Sequence, residues 1–288
     1  MAENLIDLRR RINSVKNTQK ITKAMKTVSA AKLRKSVLEI NRAKPVLEKL
    51  SRLLEIVIKS GLNIDNPLVK KKKGSESVFV ILSSDKGLCG SFNSHILKKI
   101  ENIYRDNSNE ERKISLVTIG KKANLYFGKR DFSIKKDFPD LMKNFKYEDT
   151  VQISEYLSSL YINEDINDIR FIYTEFENAS KQQIKEEIFL PISLKKNDDK
   201  DDIQYIFEPE PLKIFDSILP KFINLKVFLT MLSSSASEHA ARMVAMELAT
   251  QNAKEMIKNL TLTMNKLRQA SITKELLEII TATEALTK

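Results

Sequence analysis

Apolar side chains recur at alternating threes and fours at both ends of the chain and in short unbroken runs through its middle, and the two patterns predict different structures. From Phe222 a heptad frame puts Phe222, Leu229, Ala236, Met243, Thr250, Ile257 and Met264 at position a, and Leu225, Leu232, His239, Met246, Ala253, Leu260 and Leu267 at position d. The frame fails at Ser271 and Lys274, after which Ile272, Leu276, Ile279 and Ile280 form a stripe displaced around the helix. At the other end Leu5, Leu8, Ile12 and Val15 make one seam, and Leu33, Val37, Ile40, Leu47, Leu54 and Ile58 a second in a different frame. A polar and small-residue stretch, 18–31, separates them. The first 44 and the last 68 residues contain neither proline nor glycine, so each end is expected to be one very long helix, with Pro220 marking the return to helix. At about 1.5 Å per residue the last helix alone would run about 100 Å, and a helix of that length needs a partner. Laying the two ends against each other satisfies both stripes, which predicts a long antiparallel two-helix coiled coil built from segments 1–60 and 212–288. Small residues along the seam, Ser29, Ala30, Ala31, Ala236, Ala240, Ala249 and Ala253, either permit close helix approach or serve as good helix formers.

The middle alternates strand and helix. All six glycines and prolines 67, 139, 191, 209 and 211 fall between residues 61 and 211. Strands are expected at 78–82, 114–119, 133–138 and 169–176, with 184–192 as an edge strand, and helices at 91–104, 123–127 and 150–161. Buried apolar strands separated by helices imply a mostly parallel sheet with right-handed crossovers. The expected fold class is therefore a helical pair with an inserted Rossmann-like α/β domain of about five strands, spanning 75–210.

Charge separates the same parts. Residues 1–60 hold 15 Lys and Arg against 5 Asp and Glu, residues 61–220 hold 25 against 27, and residues 221–288 hold 9 against 6. The basicity belongs to the helices, and cationic helices suit nucleic acid, an anionic membrane surface or acidic protein loops, or are simply solvated faces. Arg9, Arg10 and Arg11 are consecutive and so spread around the helix. Residues 1–60 contain no Phe, Tyr or Trp, which argues against stacking on single strands, although a basic coiled coil that binds nucleic acid stays open as an alternative. No apolar run reaches 18 residues and no secretory core precedes the first helix, so the chain is expected on the cytoplasmic side. With one cysteine, Cys89, and two histidines, His95 and His239, neither an internal disulfide nor a His- or Cys-based metal site is expected. His239 falls at a d position and reads as a core or interface histidine.

The turn SSDKGLCGSFN (83–93) is the one place in the insertion that invites a catalytic reading. It joins a strand to a helix, where backbone N–H groups could hold a phosphate of a nucleotide. Its glycines match neither the dinucleotide nor the P-loop spacing. The favoured reading is that Gly87 and Gly90 give backbone freedom, that Ser91 or Asn93 caps the helix, and that Cys89 is a small buried residue.

Three motifs together carry a resemblance. NTQKITKAMK (17–26) with Ala30, Ala31, Lys32 and Arg34, the turn SSDKGLCGSFN, and ASEHAARMVAMELATQNA (236–253) followed by RQASIT (268–273) are similar to the gamma subunit of bacterial F-type ATP synthase. The likeness spans the whole chain in the right order. FEPEP (207–211) looks like the family's Tyr-Glu-Pro-Asp-Pro, with Phe207 in place of the tyrosine. The resemblance implies a central rotor shaft, itself not an enzyme, that couples proton-driven rotation of a membrane c ring to ATP synthesis or hydrolysis in an alpha3beta3 hexamer. It implies one copy per complex, an epsilon partner at the foot, and a peripheral place on the cytoplasmic face of the inner membrane through the c ring. It implies no nucleic acid, no cofactor and no metal.

The resemblance also assigns residues. Arg268, Gln269 and Thr273 match the motif that touches acidic loops of beta; Arg242 is a second candidate, and Met25 and Lys26 align near the neck where a beta loop passes. Phe207 and Glu208 match the foot that meets epsilon and the c ring. Ile272, Leu276, Ile279 and Ile280, on helix beyond its partner's end, would face an apolar sleeve of the hexamer. A lone Cys89 argues against the dithiol switch of chloroplast relatives.

Overall fold

In the computed structural model, residues 2–59, 65–106, 113–178, 182–193 and 205–286 are described, with side chains from Leu5 to Thr283. Residues 1, 60 and 287–288 of the expected terminal segments lie outside them. The order of elements is α1 (Ala2–Lys59), β1 (Glu76–Leu82), α2 (Phe92–Asp106), β2 (Lys113–Ile119), α3 (Lys121–Phe127), β3 (Ser133–Phe138), α4 (Tyr147–Asn163), β4 (Ile166–Phe176), β5 (Gln182–Leu190) and α5 (Pro211–Leu286). The chain divides into two compact units, Met1–Ser29 with Arg242–Lys288, and Ala30–Ala241, so that α1 and α5 each contribute to both.

In the unit Ala30–Ala241 a five-stranded sheet runs in the order β3-β2-β1-β4-β5. The first four strands are parallel and β5 returns antiparallel beside β4, as its edge position allows. β1 is buried at every residue because it sits mid-sheet with both faces covered. Its alternate side chains Val78, Val80 and Leu82 join Val117, Ile119, Phe171 and Tyr173 against α4 (Ile153, Leu157, Tyr161), the end of α1 (Leu54, Val57) and the start of α5 (Phe215, Leu219, Ile223, Val227, Met231). The opposite face, Phe79, Ile81, Leu116 and Ile172, packs on α2 through Phe92, Ile96 and Ile100 and on α3 through Ala123 and Phe127. The edge strand β3 carries Lys135 and Lys136, charges that discourage pairing with another strand.

Two features differ from expectation here. Helix α5 begins at Pro211, and Pro220 lies inside it. Proline is favoured at a first helical position, and the interior one is tolerated because Phe215, Leu219, Phe222 and Ile223 anchor the helix in the core, while Asp216, whose carbonyl loses its donor, is exposed to water. Over 222–241 burial spreads beyond the heptad frame: its members Phe222, Leu232, Ala236 and His239 are buried and Leu225 and Leu229 half-buried, and Val227 and Met231, outside the frame, are fully buried as well. There the α/β core covers further faces of α5 beyond a two-helix seam.

In the unit Met1–Ser29 with Arg242–Lys288 the frame holds. Met243, Met246, Thr250, Ala253, Ile257, Leu260, Met264 and Leu267 are buried or half-buried, while 251–252, 254–256, 258–259, 262–263 and 265–266 are exposed. The hydroxyls of Thr22 and Thr250 meet at 2.8 Å, and Lys26 pairs with Glu247, so the number rises on one helix as it falls on the other and the helices are antiparallel. Stepping from Thr22 by threes and fours reaches Gln19, Val15, Ile12, Leu8 and Leu5, all buried or half-buried, opposite Ala253, Ile257, Leu260, Met264 and Leu267. The polar stretch 18–31 therefore does not interrupt the seam of α1. One frame runs on through Lys26, Ser29, Leu33, Ser36, Ile40, Ala43, Leu47, Leu50, Leu54 and Val57, each at least half-buried, with polar residues filling places that an apolar count leaves empty. Of the small seam residues, Ser29, Ala236, Ala240 and Ala253 are buried and Ala31 is exposed.

Candidate partner interface

The residues assigned to partner contacts fall in two places. Met25, Lys26, Arg242, Arg268, Gln269, Thr273, Ile272, Leu276, Ile279 and Ile280 lie in the helix-pair unit, and Phe207 and Glu208 in the sheet unit. Within the helix pair they differ in how much of each side chain is presented. Met25 is half-buried, and its carbonyl accepts the Ser29 hydroxyl at 2.8 Å. Lys26 is held by Glu247 of the facing helix, with 41% of its side chain exposed. Arg242 is buried and engaged within the chain. Reading the two seams as one frame would have found Glu247, because it adjoins Met246, the residue facing Lys26.

Arg268, Gln269 and Thr273 are exposed, and Gln269 and Thr273, four apart, share a helix face. Beside them Ile272, Leu276 and Ile280 follow at fours, with Ile279 adjacent; these four are 49–62% exposed. Leu277, 57% exposed, widens the stripe and was not singled out from sequence. Leu267 faces Leu5 near the start of α1, so this length of α5 extends past its partner. Polar residues interleave with the stripe: Ser271 bonds Glu275 at 3.2 Å and Lys274 pairs with Glu278 at 3.5 Å. An apolar stripe flanked by a guanidinium, an amide and a hydroxyl suits a partner surface that is apolar with polar or acidic edges.

At the other place, Phe207 packs partly against the sheet core while Glu208 is exposed. Its neighbour Ile206 is 98% exposed, a residue that the motif reading passed over.

The turn 83–93 is built to close on itself. Asn93 accepts the Ser84 N–H at 3.0 Å and donates to the Cys89 sulfur at 3.2 Å, so it ties the start of α2 back to the end of β1. Ser83 Oγ accepts the Ala123 N–H at 2.9 Å, the Ser84 carbonyl accepts that of Lys122 at 3.1 Å, and Asp85 accepts those of Lys121 and Asp140 at 3.0 and 3.1 Å. The turn thus directs its own acceptors to the first amides of α3 and to that of Asp140. The Asp140 carboxylate, 2.7 Å from Lys121, raises that ammonium above its usual value. Leu88, with φ 62°, and Gly90, with φ 59°, hold the left-handed conformation, and a Cβ at Gly87 would make only an ordinary van der Waals contact, with Lys122 Cε at 3.9 Å. Gly87 is thus not the residue that the turn requires to be glycine. Among the described residues no cluster of three or more His, Cys, Asp and Glu could hold a metal, and no helix is long and apolar enough to cross a membrane.

An antiparallel pair of terminal helices in one unit, and a mostly parallel five-stranded α/β sheet inserted between those helices in the sequence, define a class of two-helix proteins with an inserted α/β domain. The family model described as ATP synthase matches residues 4–286. An ATP synthase gamma chain from Symbiobacterium thermophilum is 40% identical with 99% of each chain covered, and one from Chlorobium phaeobacteroides is 38% identical with 98% of each covered. The chain belongs to the ATP synthase gamma-chain family. Its fold is shared by chains of the Euglena gracilis mitochondrial ATP synthase: one from the rotor, at TM-score 0.65 and 18% identity, covering 94% of this chain and all of that one, and one from the OSCP/F1/c-ring assembly, at TM-score 0.67 and 18% identity, covering 99% and 95%. Family membership replaces the reading of a basic coiled coil that binds nucleic acid.

Proposed function

We propose that this chain is the central shaft of a rotary ATP synthase, carrying rotation from a membrane c ring to an alpha3beta3 hexamer without catalysing the chemistry itself. Segments 1–60 and 212–288 are the shaft and 75–210 the foot. One copy serves each complex; epsilon and the c ring meet the foot at Phe207 and Glu208, and the complex places the chain on the cytoplasmic face of the inner membrane. The observation that carries the reading is the end of α5, where Arg268, Gln269 and Thr273 stand exposed beside the exposed stripe Ile272, Leu276, Ile279 and Ile280, past the last layer paired with α1.

A shaft in a ring of near-threefold symmetry presents a different face to each beta subunit. It can hold three sites in three states only if its contact energy differs among those states. Arg268, Gln269 and Thr273 supply contacts to acidic loops of beta that can be made and broken at each step, and charge assistance makes each strong without needing burial. Lys26 also faces such a loop, and while it is held by Glu247 the beta loop must compete for it. Met25 packs at the neck, and Arg242 acts from within the seam. The apolar stripe turns in a sleeve of the hexamer. Copurification with tagged beta should yield one copy of this chain with three alpha and three beta. The double change Arg268→Ala and Gln269→Ala should lower assembly or ATP-driven rotation, and normal assembly with fully coupled turnover in that variant would refute the assignment.

A further inference from the structure

The seam of the unit Met1–Ser29 with Arg242–Lys288 is divided by chemistry. Its outer layers, Leu5 to Val15 against Ile257 to Leu267, are all aliphatic or methionine on both helices. A slide of one heptad still leaves half or more of these layers apolar: Val15 with Met264 and Ile12 with Leu267 in one direction, and Ile12 with Ala253, Leu8 with Ile257 and Leu5 with Leu260 in the other. The inner layers are polar. Thr22 and Thr250 place their hydroxyl oxygens 2.8 Å apart across the seam, so that one donates to the other, and each also lies near a carbonyl of its own helix, that of Gln19 at 3.0 Å and that of Met246 at 2.7 Å. One turn further on, Lys26 is paired with Glu247.

We propose that Thr22 with Thr250 and Lys26 with Glu247 form a register lock that fixes the axial position of α5 against α1. A slide that brings Ile257 opposite Thr22 buries a hydroxyl against an aliphatic side chain and sets Lys254 beside Lys26, cation against cation. The opposite slide sets Met243 against Thr22 and leaves Glu247 behind. Either would move the exposed end of α5 by about 10 Å relative to the start of α1, at about 1.5 Å per residue. The lock therefore determines how much of the Ile272–Ile280 stripe stands past its partner. The inference concerns the chain itself and does not depend on the shaft reading.

Cysteine cross-linking of the isolated full chain tests it, with Cys89→Ser as background. Val15→Cys with Ile257→Cys reports the observed register, and Val15→Cys with Met264→Cys reports a slide of one heptad. With the lock intact, oxidation should join the first pair and leave the second at background. Changing Thr22→Val, Thr250→Val, Lys26→Ala and Glu247→Ala should raise the second cross-link about tenfold, equivalent to about 1.4 kcal/mol. Lys26→Glu alone is a milder change at a half-exposed site, and it should also promote the slide because Glu at this position attracts Lys254. Adding Glu247→Lys should then restore the first pair. The lock is overturned if Lys26→Glu and the fourfold variant both keep the cross-linking pattern of the parent chain, since apolar packing would then set the register unaided.

Discussion

Helix α5 is held in opposite ways along its length. In the unit Ala30–Ala241 it is enclosed on several sides: Phe215, Leu219, Ile223, Val227 and Met231 enter the sheet core, and Ser234, Ser235, Ala236 and Ser237 are buried as well. In the unit Met1–Ser29 with Arg242–Lys288 the same helix buries one narrow stripe, and among the described apolar residues of α5 there only Met246 and Ala253 are more than nine-tenths buried. A layered core removes far more apolar surface from water per residue than a two-helix seam does, so the two units should differ in local stability. Amide hydrogen exchange should show it, with β1 and β4 protected longest and the amides of 5–29 and 243–267 exchanging earlier. Equal protection in both would mean that the seam is as strong as the core.

Core truncation should give the largest effect. Phe171 and Phe189 stack edge to face at 4.8 Å with almost no exposure, so either one changed to Ala should cost about 3–5 kcal/mol. Leu8→Ala, at a half-buried seam position, should cost about 1 kcal/mol, near the middle of the range for point changes. Urea midpoints would read both, and a Leu8→Ala loss as large as that of Phe171→Ala would erase the distinction.

Backbone geometry offers a second contrast inside the sheet unit. Gly120, at the end of β2, has φ +95°, and a Cβ there would lie 2.1 Å from the Ser83 carbonyl oxygen. Gly120→Ala should therefore cost about 2–4 kcal/mol in the same urea titration, through left-handed strain and a clash that backbone cannot relieve. Gly87→Ala, whose Cβ would make an ordinary contact with Lys122 Cε at 3.9 Å, should stay within about 0.5 kcal/mol.

Much of this was legible beforehand, and the misses share a cause. All five strands and the three helices between them could be read: β1, β2 and β4 because largely buried parallel strands are strong local signals, and β3, matched at both ends, and the antiparallel edge strand β5 from the breaks that bound them. Counting apolar residues failed wherever a polar side chain took a buried place. Thr22, Lys26, Ser29 and Ser36 fill seam positions of α1, and only the residue across the seam explains why. Pro220 misled for a related reason, since a proline marks a helix boundary only when no core holds the helix through it. The exposed Arg268, Gln269 and Thr273 came from motif likeness alone; nothing in their spacing distinguishes a contact from a solvated face.

A weaker effect should appear at the buried charge of the sheet unit. Lys135 bridges Glu76 at 3.0 Å and Glu164 at 2.7 Å, and Glu76 is 8% exposed as a residue. Partial burial acts to lower the Lys135 ammonium, and the hydrogen bonds to Glu164 and Glu76 outweigh it and hold the group above its ordinary value. Lys135→Met leaves Glu76 without its ion-pair partner and should cost about 1–3 kcal/mol. Because the folded-state value is raised, this stabilisation is complete below the unfolded lysine value of about 10.4 and is lost as pH rises through the folded one. Tyr173, raised by burial and then by Glu187 and Glu175, acts in the same direction, so Tyr173→Phe should also flatten the alkaline fall in Tm. Neither change should alter the slope at pH 7.

The smallest effect on stability belongs to the length of α5 that neither unit buries. Ile279 is 62% exposed, so Ile279→Asp exchanges an exposed methyl surface for a charge and should shift the urea midpoint of the isolated chain by less than the equivalent of about 0.5 kcal/mol. The same change puts a carboxylate into the sleeve proposed for this stripe, where desolvation without a partner costs several times more. Assembly with alpha and beta should then fall while the free chain melts as before. If the variant assembles at parental yield, the stripe is a solvated helix face, and the contrast between enclosed and unpartnered helix carries no functional meaning at this end.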